Sequence, residues 1–331
     1  MPVSIIGAGV AGLCIATELR NRNIEVALYE RAAGLGADAC SWWAGGMLAP
    51  WCEQESAPDA VVRFGAIAAD WWQQQGAEVS RNGSLVLALA RDRAELKRFA
   101  RRTGGYREIG EAEIAALEPD LAGRFSRALF FAGEAHLTPR KATATLLAKL
   151  QRDPGADVHF STAMEPRPQR GTIIDCRGFA ARDVLNDLRG VKGEMLVLQC
   201  TDVTLSRPVR LLHPRIPLYL VPRGDGHFMV GATMIESDER TRISARSMLE
   251  LLGAAYALHP AFGEAQVAEI GVDVRPAFAD NLPRLRRLDG ILYANGLYRH
   301  GFLLAPALAQ MTASVIDNSN SVPEWLDEDH P

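Results

Sequence analysis

Three glycines and one acid near the start of the chain are the first residues whose types and spacing could do chemistry. The glycines stand in the run Gly7-Ala8-Gly9-Val10-Ala11-Gly12, and Glu30 follows 18 residues after the last of them. Gly7 permits a tight turn from strand to helix. Gly9 has no side chain, so a pyrophosphate can approach the backbone there. Gly12 lets the helix pack closely on the strand. The first helical turn, with Val10 and Ala11, offers unpaired N–H groups and a partial positive charge to phosphates. Glu30 can accept hydrogen bonds from ribose hydroxyls and disfavours a 2′-phosphate, which argues against NADP.

Those residues need particular elements to hold them. Val3-Ser4-Ile5-Ile6 is a short apolar run of strand type, and Val10, Leu13, Cys14 and Leu19 continue at helical spacing, with Ala11 and Ala16 helping the packing. Residues 25–29 read as a second strand that ends at Glu30. Strand, GxGxxG, helix, strand and acid in this order form a dinucleotide-binding unit. The motif alone does not separate FAD from NAD; its position at residue 7 favours FAD.

Composition narrows the class. The 331 residues are 48% hydrophobic and 23% charged, enough for one large or two intimately joined domains. A formal net charge of −4 argues against a nucleic-acid partner. Only four of the 36 basic residues are lysines (97, 141, 149 and 192), so a lone arginine carries little meaning. The five cysteines are far apart and form no CxxC, which suggests neither a disulfide framework nor a metal site. No secretory signal or membrane span is expected, and a reducing, cytoplasmic setting is.

The segment 34–52 is rich in glycine and small residues, with Ser41, the pair Gly45-Gly46 and the adjacent Trp42 and Trp43. It reads either as a loop pressed along an extended cofactor or as a glycine-rich loop with packing aromatics. Helices are expected over 57–75, 91–104, 111–121, 140–153 and 245–260, and strands over 83–89, 127–139, 194–200 and 218–234. Gly224-Asp225-Gly226 suits a hairpin turn in the last of these. Segments 171–183 and 290–317 read as strand, glycine turn and helix, with Pro306 placed in the final helix's first turn. Nucleotide-fold pieces thus lie at the start, near 171–183 and at the end, with strand-rich pieces between them. Two interleaved domains follow: a cofactor domain of 1–76, 136–190 and 274–331, and a substrate domain of 77–135 and 191–273.

Several stretches resemble one family in its own order: IIGAGVAG at 5–12, WAGGMLAP at 43–50, YLVPR at 219–223, VGATM at 230–234, VRP at 274–276 and YRHGFLLAP at 298–306. The chain is similar to the FAD-dependent D-amino-acid and amine oxidases, and within them to the glycine oxidases of thiazole (thiamine) biosynthesis. The resemblance implies an α/β fold, with an FAD domain of the flavin-hydroxylase type interleaved with a β-rich substrate domain. It implies that Gly7, Gly9 and Gly12 line the pyrophosphate and that Glu30 and Arg31 hold the adenosine ribose. Ser41, Gly45, Gly46 and Met47 would run beside the pyrophosphate and flavin, with Gly178 near the pyrophosphate. Gly296, Arg299, His300, Gly301, Phe302 and Leu303 would reach the flavin ring with the last helix's N-terminus. Tyr219 and Arg275 would bind a substrate carboxylate, Arg299 would supply a second cation, and Met47 and Met234 would wall the pocket.

The reaction so implied is oxidation of a small amino acid, glycine first, with hydride passing to FAD and dioxygen giving hydrogen peroxide. No side-chain base is required if the neutral amine reacts, and His300 reads as a loop residue. No cysteine follows Cys200, so the flavin is expected to be non-covalent. Two departures stand out: the short stretch 160–171, and Pro217-Leu218 where some relatives carry a polar residue. A dehydrogenase using another acceptor and a non-catalytic flavin scaffold stay open, and nothing argues against a homo-oligomer.

Overall fold

The computed structural model describes residues 1–167, 171–213, 218–317 and 322–327. Pro217 and part of the short stretch 160–171 lie outside the described residues. The first sheet has seven strands in the order Leu326–Asp327, Arg284–Leu288, Ile291–Asn295, Ile173–Asp175, Val3–Ile6, Val26–Tyr29, Ala156–His159. Its neighbours pair in parallel except the hairpin Arg284–Leu288/Ile291–Asn295. Strands buried on both faces read as unbroken apolar runs, which is why Val3–Ile6 and Val26–Tyr29 are legible in the sequence. Helices Val10–Asn21, Pro139–Arg152 and Gly301–Ile316 bury Leu13, Leu146 and Leu304 in one core with Ile5 and Leu28.

A second sheet of nine strands is mostly antiparallel. Its long members are Arg189–Gln199 and Gln266–Ala277, and helix Ala245–Leu258 packs Leu251, Ala255 and Leu258 against it. Between them a small sheet joins Met47–Leu48, Ala135–Leu137 and Val79–Ser80. The two large sheets alternate along the chain, as interleaving requires. The expected boundaries at 190/191 and 273/274 fall inside strands Arg189–Gln199 and Gln266–Ala277.

Local departures have physical reasons. The helix expected over 57–75 is two, Asp59–Gly65 and Ala68–Gln74. It breaks after Gly65, whose missing side chain makes room for Leu303, 2.8 Å from where a Cβ would sit. After Ile173–Asp175 the chain forms a 3-10 turn, Gly178–Asp183, rather than an α-helix. Pro306 is not in the last helix's first turn, because the helix starts at Gly301. Proline there deprives the Phe302 carbonyl of its helical donor. The buried Trp72 indole N–H supplies the bond instead, at 2.8 Å. Strand Gln266–Ala277 was hidden in the sequence by Gly271 and Pro276. Among the described residues it pairs only with Arg189–Gln199, and an edge strand tolerates a proline.

Candidate active site

One long cleft opens at the C-terminal ends of the parallel strands, where doubly wound sheets bind ligands. Gly7 sits there with φ +101°, and a Cβ on it would meet the Cys176 carbonyl oxygen at 2.8 Å. Gly9 is the N-cap of helix Val10–Asn21, and no side chain caps that helix. Its first-turn residues Val10 and Ala11 face the cleft, and only Ser41 Oγ, at 3.8 Å, approaches the Cβ position of Gly9. Gly12 does not line the cleft. It lies beneath, where a Cβ would collide with the Gly7 carbonyl oxygen, so its role is packing rather than the phosphate contact the resemblance implies.

The Glu30 carboxylate is fixed at the cleft by the N–H groups of Ala8 (2.8 Å) and Ala32 (3.0 Å), with lone pairs left for a sugar. Arg31, Ser41, Gly45 and Gly178 also line it. Gly178 and Gly296 both have positive φ, +60° and +86°. Asn295, not singled out from sequence, ties these two turns together: its Nδ2 donates to Gly178 O and its Oδ1 accepts from Gly296 N, both at 2.8 Å. Helix Gly301–Ile316 is likewise uncapped, and Gly301 and Phe302 face the cleft. Two uncapped helix starts and an acid with free lone pairs along one cleft fit a flavin dinucleotide, with room for the phosphates at one helix and an electron-rich ring at the other.

A smaller chamber of about 70 Å³ adjoins the cleft and shares Gly45, Tyr219, Arg275, Arg299, Gly301 and Phe302 with it. Gly46, Met47, Met234, His300 and Leu303 line the chamber rather than the cleft. Tyr219 comes from strand Leu218–Gly224 and packs on Gly45, whose Cβ position is 3.0 Å from its ring. Arg275 comes from Gln266–Ala277 and donates to the Thr233 carbonyl at 3.0 Å. Its guanidinium lies in space that only a glycine at 193 leaves free. Met234 stands at the mouth, its sulfur near Tyr298 Oη (3.4 Å) and Arg299 Nη1 (3.5 Å).

Sequence reasoning missed Glu53, which lines the chamber at the end of helix Pro50–Glu53. Arg299 is ion-paired to it and also donates to Ser56 Oγ at 2.9 Å, so Arg299 is not a free cation. His300 Nε2 lies 3.0 Å and Arg210 Nη1 3.7 Å from the same carboxylate. Burial alone would raise the Glu53 carboxyl. Arg299, the His300 hydrogen bond and Arg210 outweigh it and hold the acid well below the usual carboxylate range. No local pattern marks Glu53: its partners stand 246 and 247 residues away. Arg223, quoted within YLVPR but given no role, donates to the carbonyls of Leu137 (2.9 Å), Ala44 (2.9 Å) and Gly45 (2.8 Å) and so fixes the loop under Tyr219.

Among known proteins, the family model described as DAO, FAD dependent oxidoreductase, matches residues 2–315. ThiO of Rhizobium etli, a proposed thiamine biosynthesis oxidoreductase, is 54% identical over 325 residues, covering 98% of this chain and 99% of that protein. The glycine oxidase of Pseudomonas aeruginosa is 26% identical over 356 residues, covering 97% of this chain and 96% of that one. The crystal structure of glycine oxidase from Geobacillus kaustophilus has a TM-score of 0.80 at 22% identity, covering 99% of this chain and 98% of that chain, a likeness of fold. Cleft, uncapped helices and a family match running almost end to end agree: the chain belongs to the FAD dependent oxidoreductase family.

Proposed function

We propose that the chain is a glycine oxidase serving thiazole synthesis for thiamine. The observation that carries this reading is the convergence of Arg275 and Tyr219 on a small chamber that opens onto the cleft. The Pseudomonas relative's name, glycine oxidase, supports the substrate, and the Rhizobium relative's name supports the thiamine setting. The parallel sheet carries the cofactor groups, and the nine-stranded sheet contributes Tyr219 and Arg275.

Arg275 takes the substrate carboxylate through its planar fork, and the Tyr219 hydroxyl adds a hydrogen bond. Anchored at that end, glycine turns its Cα toward the cleft. Met47 and Met234 line the chamber in which it would sit. Gly7, Gly9, Val10, Ala11, Ser41 and Gly178, which line the cleft, would hold the dinucleotide phosphates, and Glu30 and Arg31 its ribose. The start of helix Gly301–Ile316 stabilises negative charge on the ring system. Bound there, FAD would supply the two-electron acceptor for the Cα hydride and the means of reducing dioxygen to hydrogen peroxide. The imine left behind is consumed directly or hydrolyses to glyoxylate and ammonia. Binding is read as non-covalent, because no cysteine follows Cys200 to tether the ring.

The test is an anaerobic titration of the FAD-loaded protein with glycine. Bleaching of the oxidised-flavin band, reversed by air with release of peroxide, is expected. A flavin that glycine leaves fully oxidised would refute glycine as the substrate.

A further inference from the structure

We propose that Arg240 is a latch across the cofactor cleft and that segment 237–242 is the strap it fastens, so that FAD enters and leaves only while this bridge is open. The segment follows strand Ile235–Glu236 and leads to helix Ala245–Leu258. Its residues, Ser-Asp-Glu-Arg-Thr-Arg, include no apolar side chain, so no hydrophobic anchor holds it down. Three consecutive charged residues hold it instead, each on a different partner.

Asp238 is paired with Arg182, on the turn Gly178–Asp183, whose Gly178 and Phe179 line the cleft. Glu239 is paired with Lys192, on strand Arg189–Gln199, and accepts the Thr241 N–H at 2.6 Å. Arg240 lines the cleft itself. Its Nε donates at 2.7 Å to Asp273 Oδ1, on strand Gln266–Ala277. Its Nη2 donates at 3.2 Å to the carbonyl of Asp38, in the loop that follows strand Val26–Tyr29. Asp38 and Asp273 are also on the cleft wall. One guanidinium therefore ties a strand of the nine-stranded sheet to a loop of the parallel sheet, at the cleft.

The links are unequal. Asp238 and Arg182 are both half exposed, and a pair of that kind contributes little. Asp273 is buried, and a carboxylate so placed depends on its partner. Burial raises its carboxyl above the ordinary value, and Arg240 opposes that. Arg240 is itself partly exposed, so water can take up its charge when it swings away. Across the cleft, Gly34 and Gly36 have nothing within 4 Å of their Cβ positions, which leaves the loop that carries Asp38 room to move. A latch needs both properties: one bond strong enough to close it, and parts free to open.

The bridge runs between groups of the protein alone, so opening is a step that entry and release share. Weakening it raises the open fraction and speeds both by the same factor, leaving the equilibrium constant in place. A residue that grips the cofactor behaves differently: its loss speeds release, not entry, and weakens binding. The inference needs the family's cofactor and not the choice of substrate.

The experiment measures FAD entry into the apoprotein and FAD release from the loaded protein, with no substrate present. Flavin fluorescence follows both, and a second FAD-binding apoprotein serves as the trap for release. Wild type is compared with Arg240→Ala, Asp273→Asn and the double variant, and melting temperatures check that each is folded. In Arg240→Ala both rates are expected to rise together by at least about tenfold, the effect of losing one charge-assisted hydrogen bond. The dissociation constant should stay within about threefold of wild type, because a shared opening step cancels from it. Asp273→Asn should move both rates the same way, and the double variant should be no faster than Arg240→Ala, since the two residues share one bond. Should Arg240→Ala fail to fold, Arg240→Lys carries the test: it keeps the charge but cannot span both acceptors, and both its rates should still rise. Wild-type rates in the variants would overturn the proposal. Release that rises without entry would also overturn it, by making Arg240 a direct contact of the cofactor, and so would additive effects in the double variant.

Discussion

A guanidinium that is to bind a carboxylate must be left unsatisfied by its own fold. Arg275 meets that condition, with one hydrogen bond to the Thr233 carbonyl and its remaining donors uncommitted among the described residues, whereas Arg299 is neutralised by Glu53. Arg275→Ala is therefore expected to retain FAD yet lose about 3–5 kcal/mol of transition-state binding, roughly a hundred- to several-thousandfold in kcat/KM for glycine. An Arg275→Ala enzyme with near-normal turnover would remove the assigned role. Glu134 makes a different prediction. It accepts the Cys52 N–H at 2.7 Å and a bond from Ser84, and so anchors the helix that carries Glu53. Burial pushes its carboxyl up from 4.5 to about 7. The folded state thus holds a proton that the unfolded chain releases, and the associated stability is lost as pH rises from about 4.5 to about 7. Glu134→Gln, which stays neutral, should flatten that part of the melting-temperature profile. A wild type and variant with parallel profiles would show that Glu134 titrates normally.

At the scale of the element, the final helix shows how tertiary structure repairs a local defect. Pro306 removes the N–H that would serve the Phe302 carbonyl, and Trp72, from helix Ala68–Gln74, serves it instead. That bond fixes the helix beside Gly301 and Phe302, which face the cleft. Trp72→Phe keeps most of the aromatic bulk but leaves a buried carbonyl unpaired, at an expected cost of about 1–3 kcal/mol. With Pro306→Ala the helix can supply its own donor, so the same substitution should cost less. A double-mutant cycle in denaturant measures the difference, and strict additivity would deny the coupling.

Over the whole molecule, function depends on keeping the two sheets in register about the chamber. Arg223 belongs to the large sheet, yet its donors hold the carbonyls of Leu137, Ala44 and Gly45, which underlie the chamber. Arg140 adds a paired contact from helix Pro139–Arg152 to Glu269, both bonds at 2.8 Å. Lysine cannot reproduce a planar fork bound to three carbonyls. Arg223→Lys is thus expected to weaken FAD binding by about five- to tenfold, since one lost hydrogen bond is worth about 1–1.5 kcal/mol. Fluorescence titration of the apoprotein reads this directly, and unchanged affinity would relieve Arg223 of the role.

The sequence by itself determined what is local. The turn at Gly7, the open backbone at Gly9 and the acid at Glu30 sit within one βαβ unit, where chain geometry within 30 residues fixes their relation. The interleaving of the sheets was also legible, because buried strands and amphipathic helices leave different periodicities. Tyr219 and Arg275 needed the family resemblance, since one tyrosine and one arginine in an arginine-rich chain carry no local mark. Glu53, Arg210 and the orientation of His300 were decided only by tertiary structure. Arg299 and His300 meet Glu53 across 246 and 247 residues, and Arg210 meets it across 210 − 53 = 157, which no spacing rule spans. The same holds for Gly271 and Trp43: the glycine that obscured a strand in the sequence is where the Trp43 ring lies against the strand. Residues without periodicity acquire a function from what folding sets beside them, and that is a property of the packed molecule.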